Sequence, residues 1–288
     1  MQRLLSKLKK IKHFTRYQQL LSILVKYGFE DTLHRYKISR FLYKKSRRVL
    51  RKESKQEMYR STAERIRLAL EEMGPTFIKL GQMLSTRFDL LPLHVLEELQ
   101  KLQDEVEPFS GEQCAAMIER ELHISIAHDF SRFERTPKAA ASLAQVHKAE
   151  TGEGRVVVIK VQRPDIQKKI KQDIEILKDL ASWAERSVPD RTFIRPTELV
   201  HEFESWIQDE LDFKQEARNM YRFAQNFKDD NKVYVPDVYW DYTTDKVITM
   251  EFVQGIRIDH VEELQHVGLN KKIIAYHGTI TALKQIFE

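Results

Sequence analysis

The stretch PKAAASLAQVHKAETGEGRVVVIKVQRPD, residues 137–165, decides the fold. A small-residue turn leads into a short strand, the chain reverses at TGEG (Thr151 to Gly154), and a second strand ends on a lysine. Val156, Val157, Val158 and Ile159 form an uninterrupted β-branched run, which predicts a strand buried on both faces. Lys160 falls on the side of Val156 and Val158, where an ammonium needs a partner anion or a neutral form. Both hairpin glycines are expected at positive φ.

A lysine closing a valine-rich strand, about eighteen residues after a flexible turn, is how protein kinases hold ATP phosphates. A strand-end lysine that snorkels to solvent fits the same residues. A carboxylate elsewhere in the chain that fixes the ammonium separates the two readings. Downstream, Leu199, Phe203, Trp206, Glu210, Phe213, Ala217, Met220, Ala224 and Phe227 are spaced by three and four, predicting one continuous helix from Pro196 to about Lys228. Glu210 lies within that stripe, either desolvated and paired or turned to solvent. Glu216 sits on the stripe's edge, where it can reach a neighbouring element, and Asp212 lies on a more polar flank. Residues 233–253 return to strands: VYVPDVYWDY, a polar turn from Thr243 to Lys246, then VITMEFV. Val247, Ile248, Met250, Phe252 and Val253 predict little exposed surface, and the linker that follows has backbone groups able to read a purine edge. Residues 269–288 have helical spacing at Ile280, Leu283 and Phe287.

Upstream of the hairpin, residues 56–73 read as a helix with Ile66, Ala69, Leu70 and Met73 on one side, ended by Gly74-Pro75. The next helix, TFIKLGQMLSTRFDLLP, sets Lys79 and Gln82 three apart on one face. Gly81 in its interior costs about 1 kcal/mol against alanine, so it marks a close approach by another segment. KLGQ is then either a surface patch with a packing glycine or a polar set presented to a cleft. Ser110 to Gln113 has the capping-box form and opens a helix. A charged helix runs from about Pro164 to Ser187, and Pro189 breaks it.

The 288 residues, 42% hydrophobic and 32% charged, are enough for one large domain or two small ones. Cys114 is the single cysteine, which excludes an internal disulfide and a cysteine-cluster metal site and fits a reducing compartment. The ten histidines show no HExxH spacing. No run reaches bilayer-crossing length, and no cleavable signal pattern is present. The net charge of +5 conceals an asymmetry: residues 1–55 hold 17 Lys/Arg against 3 Asp/Glu, net +14, leaving 31 against 40, net −9, for the rest. In that head, Leu4, Leu5, Leu8 and Ile11 at helical spacing among Lys7, Lys9, Lys10 and Lys12 suggest a basic amphipathic helix. A second cluster comprises Lys44, Lys45, Arg47, Arg48, Arg51 and Lys52. An anionic membrane surface is the favoured partner. Nucleic acid is not favoured, since no recognition motif accompanies the charge. A solvated face resting on the acidic body is the third reading.

Assembled, these residues resemble the UbiB/AarF family of atypical kinase-like proteins associated with ubiquinone biosynthesis. Lys79, Gly81 and Gln82 stand as that family's KxGQ motif, and Ala139, Ala140, Ala141 and Ser142 as its alanine-rich loop. Lys160 stands as the phosphate-binding lysine, Glu210 and Asp212 as the ExD motif, Glu216 as the helix glutamate paired with the lysine. Met250, Glu251 and Val253 fall in the gatekeeper and hinge. The resemblance implies an α+β fold: a protein-kinase-like N-lobe, antiparallel sheet plus helices, with a helical N-terminal extension and a truncated C-lobe. The implied division is 1–55 for the basic, membrane-associated region, 56–129 for the extension carrying KxGQ, 130–253 for the N-lobe and 254–288 for the start of the C-lobe.

It also implies ATP as the nucleotide, held by Lys160 fixed by Glu216, with the alanine turn covering the phosphates through backbone N–H groups. ATPase activity or small-molecule phosphoryl transfer fits better than protein phosphorylation, because the KxGQ segment would occupy a protein substrate's place beside the ExD residues. One departure stands out. HxDxxxxN and DFG are absent, and Asp129-Phe130 and Asp212-Phe213 lack the glycine, so no catalytic residue is assigned and Mg²⁺ is expected only with a C-terminal part. The chain reads as a truncated member working peripherally at the cytoplasmic side of a membrane, with ATP, anionic lipid or a quinone precursor, and quinone-biosynthesis proteins as partners. The alternatives are a non-catalytic membrane-associated nucleotide- or lipid-binding module and a plain helical scaffold.

Overall fold

A computed structural model describes residues 13–35, 60–102, 106–187 and 195–287. Most of the basic head, including both of its lysine-rich clusters, and Pro189 lie outside the described residues. The chain forms two compact units interleaved in sequence. The first comprises residues 1–108, 139–144 and 162–211; the second comprises 109–138, 145–161 and 212–288.

The first unit is helical: α1 (Phe14–Lys26), α2 (Glu30–Arg35), α3 (Thr62–Met73), α4 (Pro75–Leu84), α5 (Leu93–Leu99), α8 (Ile166–Ser187) and α9 (Pro196–Glu210). Ser61 caps α3 by accepting from the Glu64 N–H. Gly74 ends α3 and starts α4 at φ +97°, a conformation costly to a residue with a Cβ, and Pro75 opens α4 with its φ already set. One apolar cluster joins Leu20, Ile23 and Tyr27 of the α1 region to Ala69, Met73, Phe77 and Ile176. Another joins Ile166, Ile170 and Ile174 of α8 to Phe203 and Ile207 of α9 and to Leu143. Leu80 and Leu177 pack against both.

These helices are further tied by a buried ion pair. Asp173 of α8, fully buried, accepts from Arg16 Nε at 2.7 Å, Arg16 Nη2 at 2.9 Å and the Thr76 hydroxyl at 2.7 Å. Arg16 Nη2 also donates to the Met73 carbonyl at 2.7 Å, just before the Gly74 turn. The two-pronged contact uses both carboxylate oxygens, and the threonine shares the second.

The second unit holds α6 (Gly111–Leu122), α7 (Ile126–Asp129), α10 (Phe213–Asn226), α11 (Val261–His266) and α12 (Lys271–Phe287) beside an antiparallel sheet. Its strands are β1 (Phe130–Phe133), β3 (Ala144–Thr151), β4 (Val156–Gln162) and β5 (Val247–Glu251), in the order β1-β3-β4-β5; the two-residue strand β2, Ala139–Ala140, falls in the first unit. Ser110 caps α6, accepting from the Gln113 N–H at 3.2 Å, and Glu112 rather than Gln113 accepts from the serine hydroxyl. The core lies between α6 and the sheet: Cys114, Ile118, Phe130, Val157, Ile159, Val161 and Val247.

Four expectations are corrected here. The run at 156–159 is not buried on both faces: Val157, Ile159 and Val161 enter the core, while Val156, on the other face with Val158 and Lys160, is 39% exposed. Alternation along a strand allows only one of the two sets onto α6. Of the two hairpin glycines only Gly154 has positive φ, at +80°. Residues 233–242 are not a strand; they hold a single bridge, Val238 to Met250, and a 3₁₀ turn at Trp240–Tyr242. Val253, read as covered, is 46% exposed.

The continuous helix expected from Pro196 to Lys228 is also two helices, α9 and α10, parted at Leu211 and Asp212. The apolar spacing persists through the break, but Asp212 leaves helical geometry and accepts from the Gln215 N–H at 3.0 Å, capping α10. Side-chain capping competes with helix continuation at such residues.

No helix among the described residues is long and apolar enough to cross a membrane.

Candidate functional site

Within the second unit, β4 and α10 carry the charged pair. Antiparallel pairing sets Lys160 opposite Ile248 and Val157 opposite Glu251. Asp212 starts α10, and the Phe213 N–H donates to the Asp245 carbonyl at 3.1 Å, pinning the helix start to the turn before β5. Phe213 and Ala217, four apart, are buried, which brings Glu216 to the flank of the same face. Lys160 Nζ then reaches both Glu216 carboxylate oxygens, at 2.9 and 2.8 Å, across 56 residues of sequence. It also lies 4.6 Å from the centre of the Phe213 ring. The two side chains keep 30% and 35% of their exposure, so the pair contributes about 1 kcal/mol or less to stability after solvent screening, and the ring a similar amount. Such a pair holds an ammonium in one position while leaving it open to a further anion.

The edge of β5 has its own pattern. The Glu251 N–H donates to the Asp237 carbonyl at 2.9 Å and the Phe252 N–H to the Val156 carbonyl at 3.1 Å. The Glu251 carboxylate accepts from the Tyr234 hydroxyl at 2.5 Å and the Asp237 N–H at 3.4 Å. That hydrogen bond to a carboxylate raises the Tyr234 hydroxyl's pKa above the usual tyrosine range. The Glu251 side chain therefore serves the 234–237 segment. Met250 is half-buried beside Val238, and Val253 is exposed.

The first unit carries the other motif residues. Lys79 on α4 lies 3.8 Å from the Glu210 carboxylate at the end of α9, with side-chain exposures of 12% and 41%. Glu210 is thus turned outward, although its spacing fits the apolar stripe, because α9 ends there. Gly81 faces the opposite way. A Cβ at this position would come within 2.3 Å of Leu102 Cδ1 and 2.9 Å of Leu70 Cδ1, so glycine is required by a close approach. Gln82 donates to the Leu102 carbonyl at 3.4 Å. The KxGQ residues thus divide: lysine to the acid of α9, glycine and glutamine to the packing of the 99–102 segment.

The alanine turn is held by a residue that sequence reasoning passed over. The Arg163 N–H donates to the Leu143 carbonyl at 2.9 Å, its Nε to the Ala141 carbonyl at 2.8 Å, and its Nη2 to Val106 and Glu107 carbonyls at 3.3 and 3.0 Å. Burial lowers the guanidinium's pKa from its ordinary value. The sequence signal was an arginine three residues after Lys160 in KVQRP, but a cation directed at carbonyls leaves no charge pattern to detect. Ser142, between the two anchored carbonyls, is fully buried, and its hydroxyl has no hydrogen-bond partner among the described residues. Glu210 and Asp212, two apart in sequence, belong to different units. No group of three or more His, Cys, Asp or Glu side chains among the described residues is arranged to hold a metal ion.

An antiparallel sheet whose strand lysine is clasped by a helix glutamate defines a kinase-like fold of the α+β class. The chain belongs to the ABC1 atypical kinase-like domain family, whose model matches residues 101–288. Among curated relatives, the probable protein kinase UbiB of Erwinia tasmaniensis is 44% identical over 224 residues, covering 77% of this chain and 41% of that protein. Those of Sodalis glossinidius and Photobacterium profundum are each 38% identical, covering 93% and 95% of this chain and 49% and 50% of theirs. The chain spans about half the length of these relatives or less. Among solved structures, the complex of Rv3197 with erythromycin from Mycobacterium tuberculosis is similar at TM-score 0.50 and 26% identity, covering 73% of this chain and 53% of that one.

Proposed function

We propose that the chain is the nucleotide-binding part of an ATP-dependent atypical kinase or ATPase that supports ubiquinone biosynthesis at a membrane surface. The observation that carries this reading is the Lys160–Glu216 pair beside Phe213: an ammonium fixed at 2.8 to 2.9 Å from one carboxylate, yet partly open. A fixed cation of this kind neutralises triphosphate oxygens at little cost in reorganisation. Backbone groups at the end of β5, from Met250 to Val253, would hold the purine; the phosphate-covering role of Ala139 to Ser142 is carried by the family resemblance alone, since the Ala141 N–H is bound to the Ala144 carbonyl and Ser142 is fully buried. The Glu251 side chain is engaged by Tyr234 and its N–H by the Asp237 carbonyl, so its part is that of its own carbonyl. ATP supplies the transferable phosphoryl group when bound; the chain's own residues bind and orient it. We assign Mg²⁺ binding to the portion of the relatives that this chain does not span. Lys79 and Glu210, which meet within the first unit, we read as a regulatory pair restricting the acceptor to a small molecule; Gly81 and Gln82 serve the packing beside them, and Asp212 caps α10.

The membrane part of the reading rests on the basic excess of residues 1–55, net +14, a charge suited to anionic lipid; a quinone precursor as partner is carried by the family resemblance. Replacing the lysines and arginines of its two clusters, residues 7–12 and 44–52, by glutamine leaves the core residues of α1 in place and is expected to abolish co-sedimentation with anionic vesicles; retained binding refutes the role of the clusters. For the nucleotide, calorimetric titration of the full-length protein with ATP compares wild type and Lys160→Ala. The expected loss is about tenfold or more in affinity, one charge-assisted contact. Equal affinities overturn the assignment.

A further inference from the structure

The alanine turn has no glycine and yet must keep a fixed shape if it is to meet a ligand through its backbone. Arg163 supplies four contacts to that region. Its N–H binds the Leu143 carbonyl at 2.9 Å and its Nε the Ala141 carbonyl at 2.8 Å, so the turn is held on both sides of Ser142 by one residue. The far end of the same guanidinium reaches the carbonyls of Val106 and Glu107 at 3.3 and 3.0 Å, and the Val106 N–H in turn donates to the Ala140 carbonyl at 3.2 Å. The turn is closed from within by the Ala141 N–H donating to the Ala144 carbonyl at 2.8 Å. Carbonyls 140, 141 and 143 are thus all directed into protein donors. The planar fork of arginine can bridge two segments in this way, whereas the point charge of a lysine cannot.

We propose that Arg163 is a positioning residue that sets the shape of the alanine turn, and through it the affinity of the turn for triphosphate. The second half rests on the nucleotide reading above; the first does not. A small hydrophobic turn held at three of its carbonyls and at the Ala141 N–H keeps one shape, and Arg163 supplies two of those contacts.

The test is hydrogen exchange of the whole chain without nucleotide, in wild type, Arg163→Met and Arg163→Lys. The Val106 and Ala141 amides are expected to exchange about tenfold faster or more in both variants, while β4 and β5 amides keep their protection. The Lys variant retains charge and stem packing, and keeps the test decisive if the Met variant does not fold. Unchanged exchange at both amides overturns the clamp. So does an equal rise over β4 and β5, which would make Arg163 a general stability residue. ATP titration of the same proteins separates the two halves: faster exchange with affinity reduced about tenfold supports both. Faster exchange in variants whose ATP affinity equals that of the wild type overturns the link to affinity. A wild type with no ATP affinity refutes the nucleotide reading and leaves the clamp standing.

Discussion

Asp173→Asn isolates the buried ion pair that joins α1, α4 and α8. The carboxylate is fully buried and accepts three hydrogen bonds at 2.7 to 2.9 Å, two from Arg16 and one from Thr76. Asparagine keeps one acceptor oxygen and turns an amide donor toward at least one of the Arg16 nitrogens, leaving the guanidinium without its anion. Removing one member of a buried pair costs about 3–5 kcal/mol, much of it the penalty of the charge left behind. Against a domain stability of about 5–15 kcal/mol this is a large loss. Arg16 retains the Met73 carbonyl and Gln19, which argues for the lower part of that range. Urea unfolding followed by circular dichroism gives the size of the loss. Hydrogen exchange locates it, with amides of α1 and α4 expected about a hundredfold faster at 3 kcal/mol. The partner variant Arg16→Met/Asp173→Leu, which removes both charges, should recover more than half of the lost stability. A loss under about 1 kcal/mol for Asp173→Asn, or a double variant as unstable as the sum of the singles, would refute the reasoning.

Three further outcomes follow from the packing. Gly81→Ala should destabilise by about 1–2 kcal/mol in urea, since overpacking against Leu102 and Leu70 outweighs the helix-propensity gain of about 1 kcal/mol; a stabilised variant contradicts the close approach. Burial pushes the Cys114 thiol up to about 12, so a disulfide reagent at pH 8 should label native protein about a thousandfold more slowly than unfolded protein, and rates within tenfold would exclude this burial. His147 is buried, donates through Nδ1 to the Glu134 carbonyl at 2.8 Å and accepts at Nε2 from Gln145 at 2.7 Å, and desolvation lowers its pKa. Its neutral form is the one the fold holds, so its contribution is complete above the unfolded value of about 6.5 and is lost as pH falls below it. The urea midpoint should therefore drop between pH 7.5 and 5.5, and less so in His147→Gln.

The elements that carry the Lys160–Glu216 pair are legible in the sequence. The β-branched run before Lys160, the Gly74-Pro75 junction and the Ser110 cap are local devices, each specified by residues within a few positions of one another. Periodicity also marked Glu216 as a stripe-edge acid within reach of another element. What it could not do was choose that element: β4 and α10 are 56 positions apart, and only their packing brings ammonium and carboxylate together.

The same reason accounts for the misreadings and omissions. Apolar spacing continued through Leu211 and Asp212, but one capping aspartate stopped the helix and turned Glu210 outward. The run at 156–159 was apolar throughout, and which half of it is covered depended on where α6 lay. Arg163 and Asp173 carry no local signal, because neither the carbonyls nor the guanidinium they bind are neighbours in sequence. Local chemistry in this chain determines where elements begin, end and face; the long-range contacts that make a site of them arise only when the elements meet.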